Sequence, residues 1–184
     1  GGDTFSAQWN ETEAVSLMFR SALTTGALPE LNERLSWLPV DQCARAISDI
    51  AMNVAESSEA NMVYHLVNPR TFSWKEDLLP ALRDGSILPE FEVVSPQEWL
   101  RRLASSDQDP EKNPSMKLID FWTAKYASHG LSETGPSGIE DAGLTFETER
   151  TVQDCPYLAC VEDPVAGGLV QRYIESWMGR WTTE

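Results

Sequence analysis

The sequence predicts a helix-dominated α/β fold, a single body over residues 1–184. Three observations carry that prediction. Apolar residues recur at helical spacing through most of the chain. Several of these runs open on a Ser or Asn followed three positions later by Glu, the reciprocal capping pattern. Strand-like stretches are few and short, and they alternate with the helices. The chain has 184 residues, 41% apolar and 23% charged, enough for one core.

In order, Asn10-Glu11-Thr12-Glu13 caps a helix carrying Val15, Leu17, Met18, Phe19, Ala22 and Leu23. Gly26 fits the position just past its end, and Pro29 begins a loop. Leu35 to Val40 reads as a short strand that Pro39 confines to an edge or an end. Asp41 then caps a helix with Ala44, Ile47, Ile50, Ala51 and Val54 on one face, closed by the polar run 56–59. Met62 to Val67 reads as a buried strand stopped by Asn68-Pro69. Ser73-Trp74-Lys75-Glu76 opens a helix through Leu82 to Gly85, and Phe91 to Val94 alternates as a half-exposed strand. Ser95-Pro96-Gln97-Glu98 caps a helix with Trp99, Leu100 and Leu103, Pro96 taking its first position. Asn113-Pro114 starts another, through Met116, Ile119, Trp122 and Tyr126. The segments 105–113 and 129–143 read as mobile polar loops. Asp163-Pro164 caps the last helix, in which Leu169, Val170, Tyr173, Ile174, Trp177, Met178 and Trp181 make one apolar stripe. Such a stripe reads first as core, with a docking face as the alternative.

Charge narrows the partners. Fourteen Lys and Arg stand against 29 Asp and Glu, a net charge of −15. That charge repels a phosphate backbone and an anionic membrane surface. No apolar run approaches the roughly 18–20 residues of a membrane span, and no secretory signal opens the chain. Three cysteines, Cys43, Cys155 and Cys160, suit a reducing, cytoplasmic setting and complete no zinc set with the two distant histidines. The chain starts at Gly1 without Met, as expected of a piece of something longer.

Catalytic signatures are absent from the sequence. Gly135, Gly138 and Gly143 have the wrong spacing for a phosphate loop and follow no strand, and Gly167-Gly168 fall inside the last expected helix. Reductases of the short-chain type use a Tyr with a Lys four residues on. Here Tyr64, Tyr126, Tyr157 and Tyr173 are followed at that distance by Asn68, Gly130, Val161 and Trp177. No Ser sits in a nucleophile elbow, and the acidic pairs suit caps and solvated faces.

Gly2-Asp3-Thr4, Trp9-Asn10, Glu13-Ala14, Trp37 to Asp41 and Tyr64-His65-Leu66-Val67-Asn68-Pro69 nevertheless stand in a telling order. Together they resemble the C-terminal part of a thioester reductase (R) domain. Such domains end non-ribosomal peptide synthetase-like proteins, fungal adenylate-forming carboxylate reductases and some polyketide synthases. The resemblance runs from residue 2 to about residue 104, and more loosely through Phe146-Glu147-Thr148 to the Trp177…Trp181 helix. It implies the substrate-binding lobe of an extended short-chain dehydrogenase-like, Rossmann-type reductase without its nucleotide-binding half. The parent would bind NADPH, and its partners would be its own N-terminal Rossmann half and a carrier domain bearing an acyl group on phosphopantetheine. Hydride attack on the thioester releases an aldehyde, or an alcohol after a second reduction. Gly2, Asp3 and Thr4 would then border the active site, and Trp9 and Asn10 the mouth of the acyl pocket, with Asn68 and Pro69 near it. Local physics offers plainer roles: Asn10 and Asp41 as helix caps, Trp9 as a staple, His65 as a core histidine, Asn68-Pro69 as a turn. Two other readings stay open. One is a fatty acyl-CoA reductase or nucleotide-sugar-type dehydrogenase, separated by whether the pocket near Trp9 is a long tunnel or a small aromatic one. The other is a non-enzymatic docking module using the Leu169–Trp181 stripe, in which Arg101-Arg102 would meet an acidic carrier.

Overall fold

A computed structural model of the chain describes residues 1–54, 62–85, 87–126 and 146–181. The 56–59 run and the 129–143 loop lie outside the described residues. Helix α1 (Ala14–Thr25) ends on Gly26, whose left-handed φ of +62° lets its N–H reach the Ala22 carbonyl. Strand β1 (Ala27–Pro29) follows at once and takes in Pro29, where the sequence suggested a loop to begin. It pairs in parallel with β4 (Glu92–Val94), Leu28 opposite Val93. Strand β2 (Arg34–Leu35) pairs antiparallel with β3 (Phe72–Ser73). These two ladders are separate.

The helices are α2 (Val40–Val54), α3 (Leu79–Asp84), α4 (Pro96–Ala104), α5 (Ile119–Tyr126), α6 (Glu149–Asp154) and α7 (Leu169–Trp181). A single π-helical turn, Trp74–Leu78, leads into α3. Short 3-10 turns, Pro114–Leu118 and Pro156–Cys160, lead into α5 and follow α6. None of the described helices is long and apolar enough to cross a membrane.

The cap at Ser95 forms as expected, its hydroxyl accepting from the Glu98 N–H. Ser73 accepts from the Glu76 N–H, but the return bond comes from Asp77, whose carboxylate accepts from the Ser73 N–H at 2.7 Å. The extra residue matches the widened π turn. Asn10 is not the cap of α1; Glu13 holds that position and caps with no side chain. The Asn10 carboxamide instead accepts from the N–H and hydroxyl of Thr12, closing a turn ahead of the helix. Glu13 accepts from the Trp9 indole at 2.7 Å. Asp41 lies inside the first turn of α2, and Gly167-Gly168 precede α7.

Two expected strands are corrected. Leu35 to Val40 shrinks to the β2 pair, and Met62 to Val67 joins no ladder. That second segment is held by side chains: Tyr64 donates to Asp154 at 2.6 Å, and the His65 carbonyl accepts from Thr151. Its apolar pattern fits Tyr64 and Leu66 packing, partly buried, on the smaller core beside α2. His65 is half-buried, its Nδ1 3.0 Å from the Glu147 carbonyl and its ring against Phe146.

The main core gathers Phe19, Trp99, Trp122, Tyr173 and Trp177 from α1, α4, α5 and α7. The α7 stripe is therefore core, with only Met178 partly out. Buried polar groups are matched across helices: the Trp99 indole donates to Ser21, and the Ser115 hydroxyl to the Leu17 carbonyl. A smaller core joins Ala46 and Ile50 of α2 to Leu38, Cys155, Leu158 and Val161.

Candidate functional site

The N-terminal segment folds into a tight loop on α2 and α7. Gly2 is buried, and its carbonyl accepts from the Val40 N–H at 3.0 Å. The Asp3 carboxylate accepts four bonds, from the N–H groups of Phe5, Ser6 and Gln8 and the Ser6 hydroxyl. Ala7 closes the loop in the left-handed region at φ +53°. Thr4 is fastened to Asp41 twice, N–H to Oδ1 at 2.9 Å and hydroxyl to Oδ2 at 2.7 Å. Arg172 on α7 donates to the Thr4 and Phe5 carbonyls.

Electrostatics single out the same loop. The Ser6 hydroxyl and N–H, ahead of the Gln8 and Phe5 N–H groups, hold the Asp3 carboxyl at about 2 rather than 3.8. The Tyr173 hydroxyl is buried with no hydrogen-bond partner among the described residues; burial, then the Asp41 and Asp3 carboxylates, push its pKa well up. A depressed carboxylate stabilises the fold above its unfolded pKa and loses that contribution as pH falls through the folded one. The Asp3 loop is therefore expected to loosen between about pH 3.8 and about pH 2. An NMR titration of the Asp3 carboxyl checks this; an ordinary midpoint with native Ser6 and Gln8 amide shifts would refute the ring of bonds.

Thr4 forms one wall of a cleft of about 250 Å3 with Pro39, Gln42, Tyr157, Cys160 and Arg172. Gln42 donates to Asp41 at 2.8 Å, and its own Oε1 is buried with no partner among the described residues. Behind the cleft, Asn68 ties three segments together. Its amide donates to the carbonyls of Trp37 and Glu162, and its Oδ1 accepts from the Arg70 N–H. Asn68 is buried and Pro69 half-buried.

A second, apolar slot of about 200 Å3 lies between Met18, Leu35, Trp37, Trp74, Phe121 and Trp122. Trp37 connects it to Trp9, ring to ring at 5.1 Å. Trp122 also lines it, and its indole N–H is buried with no hydrogen-bond partner among the described residues. Lys125 and Glu33, also in its lining, pair at 2.9 Å. Burial opposes the Lys125 charge most strongly of any single cause, but Glu33 and Tyr126 together outweigh it and raise its pKa; burial raises Tyr126 as well.

No family profile matches the sequence. The non-reducing polyketide synthase sor2 of Hypocrea jecorina is 34% identical over 177 residues, 96% of this chain and 6% of that protein. The 3-methylorcinaldehyde synthase tropA of Talaromyces stipitatus is 31% identical over 180 residues, with the same two shares. The terminal R domain from the myxalamid PKS-NRPS biosynthetic pathway superposes with a TM-score of 0.70. That match covers 97% of this chain and 41% of the other, at 20% identity. The chain is homologous to a segment of fungal non-reducing polyketide synthases, and its fold matches part of a terminal R domain. It spans 6% of the length of the curated relatives it matches.

The structure brings Gly2, Asp3 and Trp9 together near Tyr173, with Thr4 beside them on Asp41 and Arg172: Gly2 packs on the Trp9 and Tyr173 side chains. Trp9 is buried, edge-on to Tyr173 at 5.2 Å. Asn68 joins the group from behind, through the backbone of Trp37 and of Glu162, a cleft residue. Asn10 stands apart on the surface; it shares with Trp9 an open depression that also takes in Arg180. Asp41, Gln42, Arg172 and Tyr173 were not singled out for the site by sequence. Arg101 and Arg102 are both engaged by Glu98, and Arg102 also by Glu92 at 2.6 Å. Glu98 falls to about 2 through those guanidinium bonds, Arg101 first.

Proposed function

We propose that this chain is the substrate-binding portion of an NADPH-dependent thioester reductase. The intact domain releases a carrier-bound acyl group as an aldehyde. The carrying observation is the fold shared with a terminal R domain over 97% of the chain. The name of one relative, a 3-methylorcinaldehyde synthase, supports an aldehyde product.

The described residues do not fit the NADPH itself. A pyrophosphate needs a Gly-rich turn from strand into helix, and β4 passes into α4 through Ser95-Pro96. A proton-donating tyrosine needs a lowered pKa, yet Tyr126 and Tyr173 are both pushed up by burial. On this reading cofactor grip and proton donation fall to the other half of the domain. This chain contributes shape and polar anchoring around Gly2–Thr4 and Trp9.

The slot beside Trp37 favours a compact acyl group over a fatty chain. An apolar cavity of about 150 Å3 takes one benzene ring, and this one has about 200 Å3 and tryptophan walls. The docking-module reading loses its surface, because the Leu169–Trp181 stripe is buried. The test is NADPH oxidation with a series of acyl thioesters. The protein extended to a full R domain is expected to turn over and to prefer aryl over long-chain acyl groups, and this chain alone to be inert. Turnover by the chain alone, or none by the extended protein, overturns the reading. A long-chain preference would transfer it to a fatty acyl reductase.

A further inference from the structure

Helix α2 has a wider apolar arc than this chain covers. Cys43, Ala46, Ile50 and Val54 pack inward on the smaller core. At about 100° per residue, Val40, Ala44, Ile47 and Ala51 form the adjoining stripe. All four are exposed, Val40 by 55% and Ile47 by 51%. Phe5, 83% exposed, sits beside the same helix start, since its neighbour Thr4 is bound to Asp41. Isolated surface apolar residues need no explanation, but a continuous stripe about 16 Å long with an aromatic at its end does.

Two facts name the occupant. More than half of the matched R-domain chain has no counterpart here. Gly1 is held beside the start of α2, its nitrogen 3.3 Å from the Leu38 carbonyl. Any chain joined ahead of Gly1 thus emerges next to the bare stripe.

We infer that the Val40–Ala44–Ile47–Ala51 stripe of α2, with Phe5, is the face on which the other half of the R domain packs. This rests on the proposed reading of the chain as part of such a domain. Packing there clamps the Gly2–Thr4 loop between the two halves, because that loop is anchored on the first turn of the same helix. The stripe carries no charged residue, as an intramolecular seam requires, and the Arg45–Asp49 pair lies well around the helix from it.

Hydroxyl-radical footprinting tests this on two proteins, the present chain and its extension to full R-domain length. Phe5, Val40 and Ile47 are expected to lose reactivity at least about fivefold in the extended protein. Ile47→Asp is expected to restore it at Phe5 and Val40 there, and to leave the melting temperature of the present chain unchanged. Equal reactivity in the two proteins overturns the inference. So does protection in the present chain that grows with its concentration, which would assign the stripe to a second copy. Reductase activity is scored separately, so an inactive extended protein with a protected stripe refutes the function and not the seam.

Discussion

Gly2→Val is expected to detach the N-terminal loop and cost about 1–3 kcal/mol of stability. A Cβ on residue 2 would stand 2.3 Å from the Gln8 carbonyl oxygen, 2.6 Å from the Trp9 Cβ and 2.7 Å from the Tyr173 Cε1. Two of these neighbours are backbone or backbone-proximal atoms that no rotamer change can move. The cheapest relief is for residues 1–8 to peel away. Peeling breaks the Val40–Gly2 bond, both Thr4–Asp41 bonds and the Arg172 contacts. The loss is bounded, since a freed terminus gives up only the net worth of its own contacts, about 1 kcal/mol for a typical hydrogen bond. Urea melts give the size, and the Asp3 titration gives the mechanism: its midpoint should return toward 3.8. An unchanged urea midpoint with Asp3 still near 2 would mean that the close packing around Gly2 is wrong. On the proposed reading, the same change in the protein extended to full R-domain length is expected to abolish turnover while the rest of the fold melts cooperatively.

That loop shows where sequence reasoning reaches and where it stops. Gly2, Asp3, Thr4 and Trp9 were legible as a group because their order carried a resemblance. Their partners were not. Asp41 looked like a cap because an Asp before an apolar helix usually is one. Its actual partner, Thr4, is 37 positions away, and Arg172 lies 168 positions from Thr4. No periodicity reports contacts of that length. The caps at Ser73 and Ser95 were legible because their physics is complete within four residues. Asn10 obeyed the same local pattern and failed, since the Trp9 indole captured Glu13 and moved the helix start to Ala14. β1 was hidden because three residues ending in Pro carry no alternation; only its parallel partner β4 makes it a strand. The Met62–Val67 run shows the reverse error, an apolar segment whose burial comes from helix packing rather than from a ladder.

The largest expected effect on stability is Trp177→Ala. Trp177 is fully buried at the centre of α7, with ring neighbours Trp9, Phe19, Tyr173 and Trp181 at 5.5–6.2 Å. Its indole donates to the Trp9 carbonyl at 2.8 Å, so it also holds the loop that presents Gly2–Thr4. Truncating a buried Trp to Ala costs about 3–5 kcal/mol through lost burial and an unfilled cavity. The Trp9 carbonyl, left without its donor, adds about 1–3 kcal/mol. Against a total of about 5–15 kcal/mol for a domain, the variant should be largely unfolded or unfold at very low urea. Trp177→Phe keeps most of the apolar volume and loses the hydrogen bond, so it should fall between the variant and the parent. Phe121→Ala, at a half-exposed site on α5, should stay within about 0.5 kcal/mol. This series also separates core from docking surface. If the α7 stripe were held for a partner, Trp177→Ala would leave the isolated chain as stable as Phe121→Ala does. Because the rings interlock within one chain, the melt itself must register the loss.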